Sequence, residues 1–401
     1  MVVSACINIT AFVLPILVLA DYAAKQCGLV HERIAISVTC LGLLLAAPGL
    51  SDYLLWIQSD QVAISLSLLS CLFLVRHEAS RSRTDLCLAA TLAVLSVWTK
   101  QIAIAVPLAH MAYIVVIRRD LKWAYRYLGW FSIAGIVVGT LMIRFFGLDP
   151  LVYNLWIVPS GNHFKGRASV WLANPLGLLK EAGPSLIVAA ILWRVADRRK
   201  PSRFDQHPSL KAVITLLLTM AVCQLPFNLL GAAKIGGGGN SFHMVVTVYV
   251  MAILCAVAAA GAWQNVIKRV HFTWMSAGAA LLGAALTLIA YPVRLTPDPH
   301  LEAARILADG HHGQVYFPRN PLVTWWTEKK AYHLEYGLID QAVAGFPVSK
   351  ERYWAYLPSD LRLLVYPSRL DQGLATQLIK LGGRLEGADY VIHYVAKPRK
   401  E

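Results

Sequence analysis

The stretch LLGAAKIGGGGNSFHMVV, residues 229 to 246, sets Lys234, the glycines Gly236, Gly237, Gly238 and Gly239, Asn240 and His243 between two apolar runs. Glycine at this density supports neither a helix nor a packed core, so the stretch is an exposed connection or a backbone surface left bare for a ligand. Bare N–H groups beside an ammonium, followed by the positive end of a helix starting near Phe242, would suit a phosphate or pyrophosphate. Asn240 would cap that helix or donate to an oxygen; His243, a turn in, would do either or bond locally. A second ammonium, Lys100 in LSVWTKQIAIAVPLAH, also ends an apolar run, and two lysines can hold one anion. The plainer readings are lysines that snorkel to headgroups and glycines that form a turn.

Carboxylates supply the complementary chemistry. Asp52 and Asp60, in SDYLLWIQSDQ, stand in a segment with no basic residue. There a carboxylate can take a proton from a sugar hydroxyl or hold a divalent cation. Against these roles, Asp52 also reads as a solvated loop charge beside interfacial aromatics, and Asp60 as a helix N-cap. His163, Lys165 and Arg167 in GNHFKGRAS suit an anionic headgroup or a plain interfacial basic cluster. The segment YHLEYGLID, near residue 335, reads as surface structure. All seven cysteines fall in or beside apolar runs with no CxxC pair, which indicates neither a disulfide framework nor a zinc site.

The elements that must position these residues are membrane spans. Of 401 residues 57% are hydrophobic and only 15% charged, and apolar runs of about spanning length recur to about residue 291. Periodicity and breakers predict a mainly α, polytopic transmembrane bundle of about ten spans: 2–20, 34–48, 62–75, 86–98, 102–117, 127–147, 184–196, 212–231, 242–263 and 272–291. The run from Leu86 to Ile117 is too long for one crossing at about 1.5 Å per residue, so a re-entrant turn is expected at Lys100. Basic residues sort by loop: one alternating set holds 17 Lys and Arg, the other about five. The net charge of +14 is thus an orientation signal, and nucleic acid is not implied. By that rule Lys100, Lys234, Asp52, Asp60 and the C-terminal segment share the exoplasmic side of an inner or plasma membrane.

The same rule leaves the N-terminus exoplasmic, with Met1 inside an apolar run. A start within a longer architecture is expected, with an N-out signal anchor as the alternative. Residues 148–183 are too polar to span and too rich in Trp, Tyr and Leu for free loop, and read as interfacial amphipathic helices within a 1–291 membrane domain. Residues 292–401 read as a small soluble α/β domain. GQVYFPR, LRLLVYP and ADYVIHYV read as strands of a parallel or mixed sheet, HLEAARILADG and LDQGLATQLIKLGG as helices.

The stretches SDQVAISLSLLSCLFLVR, LSVWTKQIAIAVPLAHMAYIVVIRR and AAKIGGGGNSFHMVVTVYVMAIL resemble the GT-C membrane glycosyltransferases, particularly the dolichyl-phosphate-mannose mannosyltransferase and bacterial RgtA/B/C/D-like branch. The resemblance covers roughly residues 1–291. It implies transfer of a sugar, with inversion, from a polyprenyl-phosphate carrier to an exoplasmic lipid, polysaccharide or protein acceptor among membrane lipids. It also implies phosphate contacts at Lys100 and Lys234 and a carrier site shaped by Gly236 to Asn240. The resemblance implies that the family's acidic base follows a first span, which is expected upstream of Met1, so Asp52 and Asp60, one loop later, do not inherit that role by position. The rival readings are a transporter or lipid flippase, and a catalytically deficient membrane scaffold. The transporter reading would bring inverted repeats and midplane charges, and the sequence displays neither.

The loop charges generate a direct test: a topology reporter fused after Arg203 is expected on the cytoplasmic side and one at the C-terminus on the opposite side, as read by compartment-specific enzyme activity. Both reporters on one side would refute the shared exoplasmic site.

Overall fold

The computed structural model describes residues 2–26, 59–162, 174–179, 182–183, 208–234, 239–259, 299–320, 322–330, 332, 335–346, 349–355, 357–367, 381–386 and 390–395. It divides into two compact units, one from Met1–Leu148 and Phe164–Pro292, the other from Asp149–His163 and Val293–Glu401.

The first unit is a helical bundle of α1 (Val2–Gln26), α2 (Ser59–Ser80), α3 (Arg83–Thr99), α4 (Ala105–Ala112), α5 (Leu121–Phe146), α6 (Pro208–Ala233) and α7 (His243–Ala259). Among the described residues, α2, α5 and α6 are each long and apolar enough to cross a membrane. The expected spans at 34–48, 184–196 and 272–291 and the last four residues of 242–263 lie outside the described residues, and the described parts of the others coincide with helical segments. Small residues make the close contacts: Ala63, Ala89, Ala90, Ala93, Ala103 and Ala109 are fully buried, and the Ser70 hydroxyl of α2 donates to the Ala89 carbonyl of α3 at 2.6 Å. In an apolar solvent, where burying leucine gains little, such close approach and interhelical hydrogen bonding are what hold helices together.

The long run breaks where expected. Lys100 is extended, with φ −151° and ψ 121°, and a 3-10 turn at Gln101–Ile104 leads into α4. The chain then returns beside α3, because Tyr113, one residue past α4, donates its hydroxyl to Glu78 at the far end of α2. That far end gathers ion pairs: Arg118 with Glu78, Arg76 with Asp85 at 3.6 Å and Arg81 with Asp120 at 3.9 Å. Local caps set its helix starts. Ser82 accepts from the Asp85 N–H to begin α3, and Asp120 accepts from the Trp123 N–H to begin α5. Tyr22 and Ser209 share a hydrogen bond near Arg76 and Asp85, which brings the end of α1 and the start of α6 to this same basic end.

In the second unit, helices α8 (Pro299–Gly310), α9 (Leu322–Glu328), α10 (Glu335–Val343) and α11 (Lys350–Ala355) accompany a four-stranded sheet. Its strands are β1 (Val315–Tyr316), β2 (Leu363–Pro367), β3 (Leu381–Glu386) and β4 (Tyr390–Val395), in the order β1-β2-β4-β3. The sheet is mixed: β1 and β2 are parallel, and β4 is antiparallel to both its neighbours. Both faces are covered. Val315, Phe317, Leu363 and Val365 pack with Ala304 and Ala308 of α8, while Tyr316, Leu364 and Tyr366 pack with Leu338 of α10 and Tyr353 of α11. This two-sided burial is why VYF and LLVY are continuously apolar and do not alternate.

Three expectations change here. Residues 381–383, read as the end of a helix, begin β3. Part of the interfacial segment, Leu148–Gly161, is helical, and Asp149–His163 belongs with the second unit. There Gly161 abuts the Ala344 backbone so closely that a Cβ would clash, and the Tyr153 ring meets Phe346 edge-on. YHLEYGLID is not wholly surface structure: Glu335 and Leu338 are buried, and Glu335 is paired with Arg319 and accepts the Tyr366 hydroxyl at 2.7 Å. Burial holds the nearby Tyr316 and Tyr353 hydroxyls well above the usual tyrosine range, so both remain neutral.

Removing one partner of a buried pair strands the other, at a cost of about 3–5 kcal/mol. Arg319→Met is therefore expected to loosen this unit strongly, and adding Glu335→Gln to restore most of the loss. Hydrogen exchange of β2 and α10 in the purified full-length protein reads both effects.

Candidate functional site

The end of the bundle opposite the ion-paired basic end is built from the start of α2, the break between α3 and α4, the end of α6 and the start of α7. Asp60 lies in the first turn of α2, inside the helix and past the N-cap position expected for it. Its carboxylate accepts a charge-assisted hydrogen bond from the Lys100 ammonium. The Asp60 side chain is 8% exposed and that of Lys100 23%. At this depth an ionised carboxylate persists only beside a cation, and the break after α3 frees Lys100 to reach it.

Helix α6 is tied to that break. Gln224 donates to the Ile102 carbonyl at 3.1 Å, and a Cβ on Gly231 would lie 3.3 Å from the Ile102 side chain and 3.5 Å from the Ser241 hydroxyl. Gly231 is thus a close-approach glycine between the turn at 101–104 and the turn that opens α7. Lys234 follows α6 directly and is half-buried. These contacts bring Lys100, two residues before Ile102, and Lys234, three after Gly231, to one end of the bundle.

Gly236, Gly237, Gly238 and Asp52 lie outside the described residues, as do His163, Lys165 and Arg167. Gly239 and Asn240 begin the 3-10 turn Gly239–Phe242 that leads into α7, close to the helix start expected near Phe242. His243 is 2% exposed at the first residue of α7, so its imidazole faces the packed interior.

Three amides that sequence reading passed over share this end. Gln61, Gln224 and Asn228 are fully buried, and the Asn228 side-chain oxygen accepts from the Val245 N–H at 3.1 Å. Both polar atoms of Gln61, the Gln224 oxygen and the Asn228 nitrogen have no hydrogen-bond partner among the described residues. The signal was present: Gln224 and Asn228 are four apart in CQLPFNLLGAAK and must share one helix face. Amides so placed can donate to and accept from hydroxyl groups.

Beside this polar end a cavity of about 350 Å³ opens between residues 175–182, α6 and α7, lined by Leu178, Leu218, Val222, Leu225, Val245 and Tyr249 among others. It adjoins the amides, since Val245 bonds Asn228 and Leu225 follows Gln224. A polar cation-bearing end beside an apolar groove matches an amphiphile with an anionic head. A divalent cation fits less well: Asp60 already carries an ammonium, and among the described residues no three His, Cys, Asp or Glu side chains are grouped to hold a metal.

Comparison of this chain with protein-family models, with curated proteins and with solved structures gave no match.

If Asp60 and Lys100 hold each other in place, Asp60→Asn or Lys100→Met alone is expected to lower stability by roughly 1–3 kcal/mol, a range discounted for the partial exposure of the lysine. The double variant should regain most of it. Thermal unfolding of the detergent-solubilised protein measures the coupling.

Proposed function

We propose that this chain is a multi-pass membrane glycosyltransferase of the GT-C type, which moves a sugar from a polyprenyl-phosphate carrier to an exoplasmic acceptor within a bundle of about ten spans. The observation that carries this reading is the gathering of the Asp60–Lys100 pair, Lys234 and the turn that begins at Gly239 at one end of an apolar bundle, beside an apolar groove wide enough for a hydrocarbon chain.

In the proposed step the carrier phosphate lies between the two ammonium groups, where the glycine-rich stretch of the sequence would supply backbone N–H groups, with its chain along α6 and α7. Lys100 exchanges its carboxylate partner for the phosphate. Asp60, released, takes the proton of an acceptor hydroxyl; among the described residues of this unit, the other carboxylates, Asp21, Glu78, Asp85 and Asp120, belong to the opposite end. The acceptor oxygen attacks the anomeric carbon as its bond to the phosphate oxygen breaks. Both electrons of that bond leave with the phosphate, whose charge the lysines stabilise. The buried amides Gln61, Gln224 and Asn228 suit sugar hydroxyls. The concentration of these groups at one end favours this reading over a transporter, which needs charges at the midplane.

A charge-assisted contact to an oxyanion is worth roughly 1.5–3 kcal/mol. Lys234→Ala is therefore expected to weaken binding of synthetic decaprenyl phosphate by more than about tenfold, with Lys234→Arg recovering part of it. Uncharged decaprenol should respond to neither variant. Equal binding of decaprenyl phosphate by wild type and Lys234→Ala in a microscale titration would make Lys234 a snorkelling residue.

A further inference from the structure

A thiol, an imidazole and a thioether from three helices meet inside the bundle, in a place the transfer step does not use. Cys71 of α2 lies eleven residues, about 16 Å of helix, from Asp60. Its Sγ is 3.5 Å from Nε2 of His110 in α4 and 3.3 Å from Sδ of Met220 in α6. The other imidazole nitrogen, Nδ1, is 2.9 Å from the Tyr127 hydroxyl of α5. All four side chains are at most 2% exposed.

We propose that Cys71, His110 and Met220 form a binding site for a soft monovalent metal ion, Cu(I). The donor set selects the metal: thiolate and thioether favour Cu(I), and a thioether is a poor ligand for harder ions. Charge selects it again. A thiolate with Cu(I) is neutral overall, whereas the same thiolate with Zn(II) leaves a net positive charge in an apolar interior, where an unpaired charge is costly.

Tyr127 supplies the outer support that metal-bound imidazoles require, by holding the nitrogen that faces away from the metal. Three donors on bonds of about 2.0–2.3 Å lie roughly 3.5–4.0 Å apart, so the two distances from Sγ, 3.5 Å to Nε2 and 3.3 Å to Sδ, already match or fall a few tenths of an ångström short of a loaded site. Protons and electrons balance without an oxidant. Without metal, the Tyr127 hydroxyl donates to Nδ1, Nε2–H to Sγ, and S–H to the Met220 sulfur. On binding, the thiol gives up its proton, the imidazole adopts the Nδ1–H form that donates to Tyr127, and Sγ, Nε2 and Sδ turn their lone pairs to the ion. One positive charge enters and one proton leaves.

The test is anaerobic titration of the full-length protein in lipid nanodiscs with Cu(I), in competition with bicinchoninate. One ion per chain is expected, with Cys71→Ser weakening retention at least about a hundredfold. Met220→Leu conserves volume and keeps the fold, and together with Tyr127→Phe should weaken retention, each by about tenfold. X-ray absorption of the loaded protein should reveal sulfur and nitrogen neighbours that Cys71→Ser loses. Cu(I) held as tightly by Cys71→Ser as by wild type, or no retention by wild type, overturns the assignment. Because the proposed transfer does not involve these residues, neither result bears on it.

Discussion

A charge inside an apolar bundle persists only with a partner, and the Asp60–Lys100 pair is where that requirement shapes this chain. At an effective dielectric of about 20 the attraction of two unit charges near 4 Å is about 4 kcal/mol, similar to the several kcal/mol that removing each ion from water costs. The net gain is small, yet loss of either partner strands the other. The start of α2 is therefore bound to the point where α3 ends, and the extended backbone at Lys100 turns one overlong apolar run into two packed helices. Everything else at this end is referred to that break: Gln224 bonds the turn after it, and Gly231 lets α6 approach the same turn.

The two ends of the bundle use charge differently. At the basic end three carboxylates face arginines, Glu78 with Arg118, Asp85 with Arg76 and Asp120 with Arg81, and Asp21 faces Lys25 one turn on in its own helix. Asp85 and Asp120 are also held locally, by Ser80 and by the Trp123 N–H, and Glu78 is bonded further by Tyr113. At the other end the cations are lysines, point charges on flexible stems that change partners readily, set among amides with unused hydrogen-bonding capacity. One end is built to stay as it is, the other to exchange partners, and the second suits a ligand.

Much of this was legible in residue order. The break at Lys100, the helix start after Asn240 and three of the four strands, β1, β2 and β4, follow from local rules: the length of a bilayer crossing, breaker residues, and β-branched or aromatic runs. Pairings between distant segments were not. Nothing in SDQ and TKQ says that Asp60 meets Lys100, because forty residues and two helix lengths separate them, and only the packing of α2 on α3 sets the register. Glu335 misled for a related reason: an acidic residue in a soluble domain looks exposed until Arg319 and Tyr366, supplied by other elements, make its burial tolerable. The Cys71, His110 and Met220 group was likewise invisible, since each residue alone is an ordinary member of an apolar helix.

The central claim is that Lys100 trades a carboxylate for a lipid phosphate, so Asp60 and the phosphate compete for one ammonium. The most direct measurement compares decaprenyl phosphate affinity in wild type, Asp60→Asn and Lys100→Met. Exchange predicts that Asp60→Asn, which removes the competitor and leaves the cation, binds more tightly than wild type while Lys100→Met binds more weakly. Asp60→Asn binding no better than wild type, with Lys100→Met unchanged, would contradict the exchange and leave the pair a structural clasp.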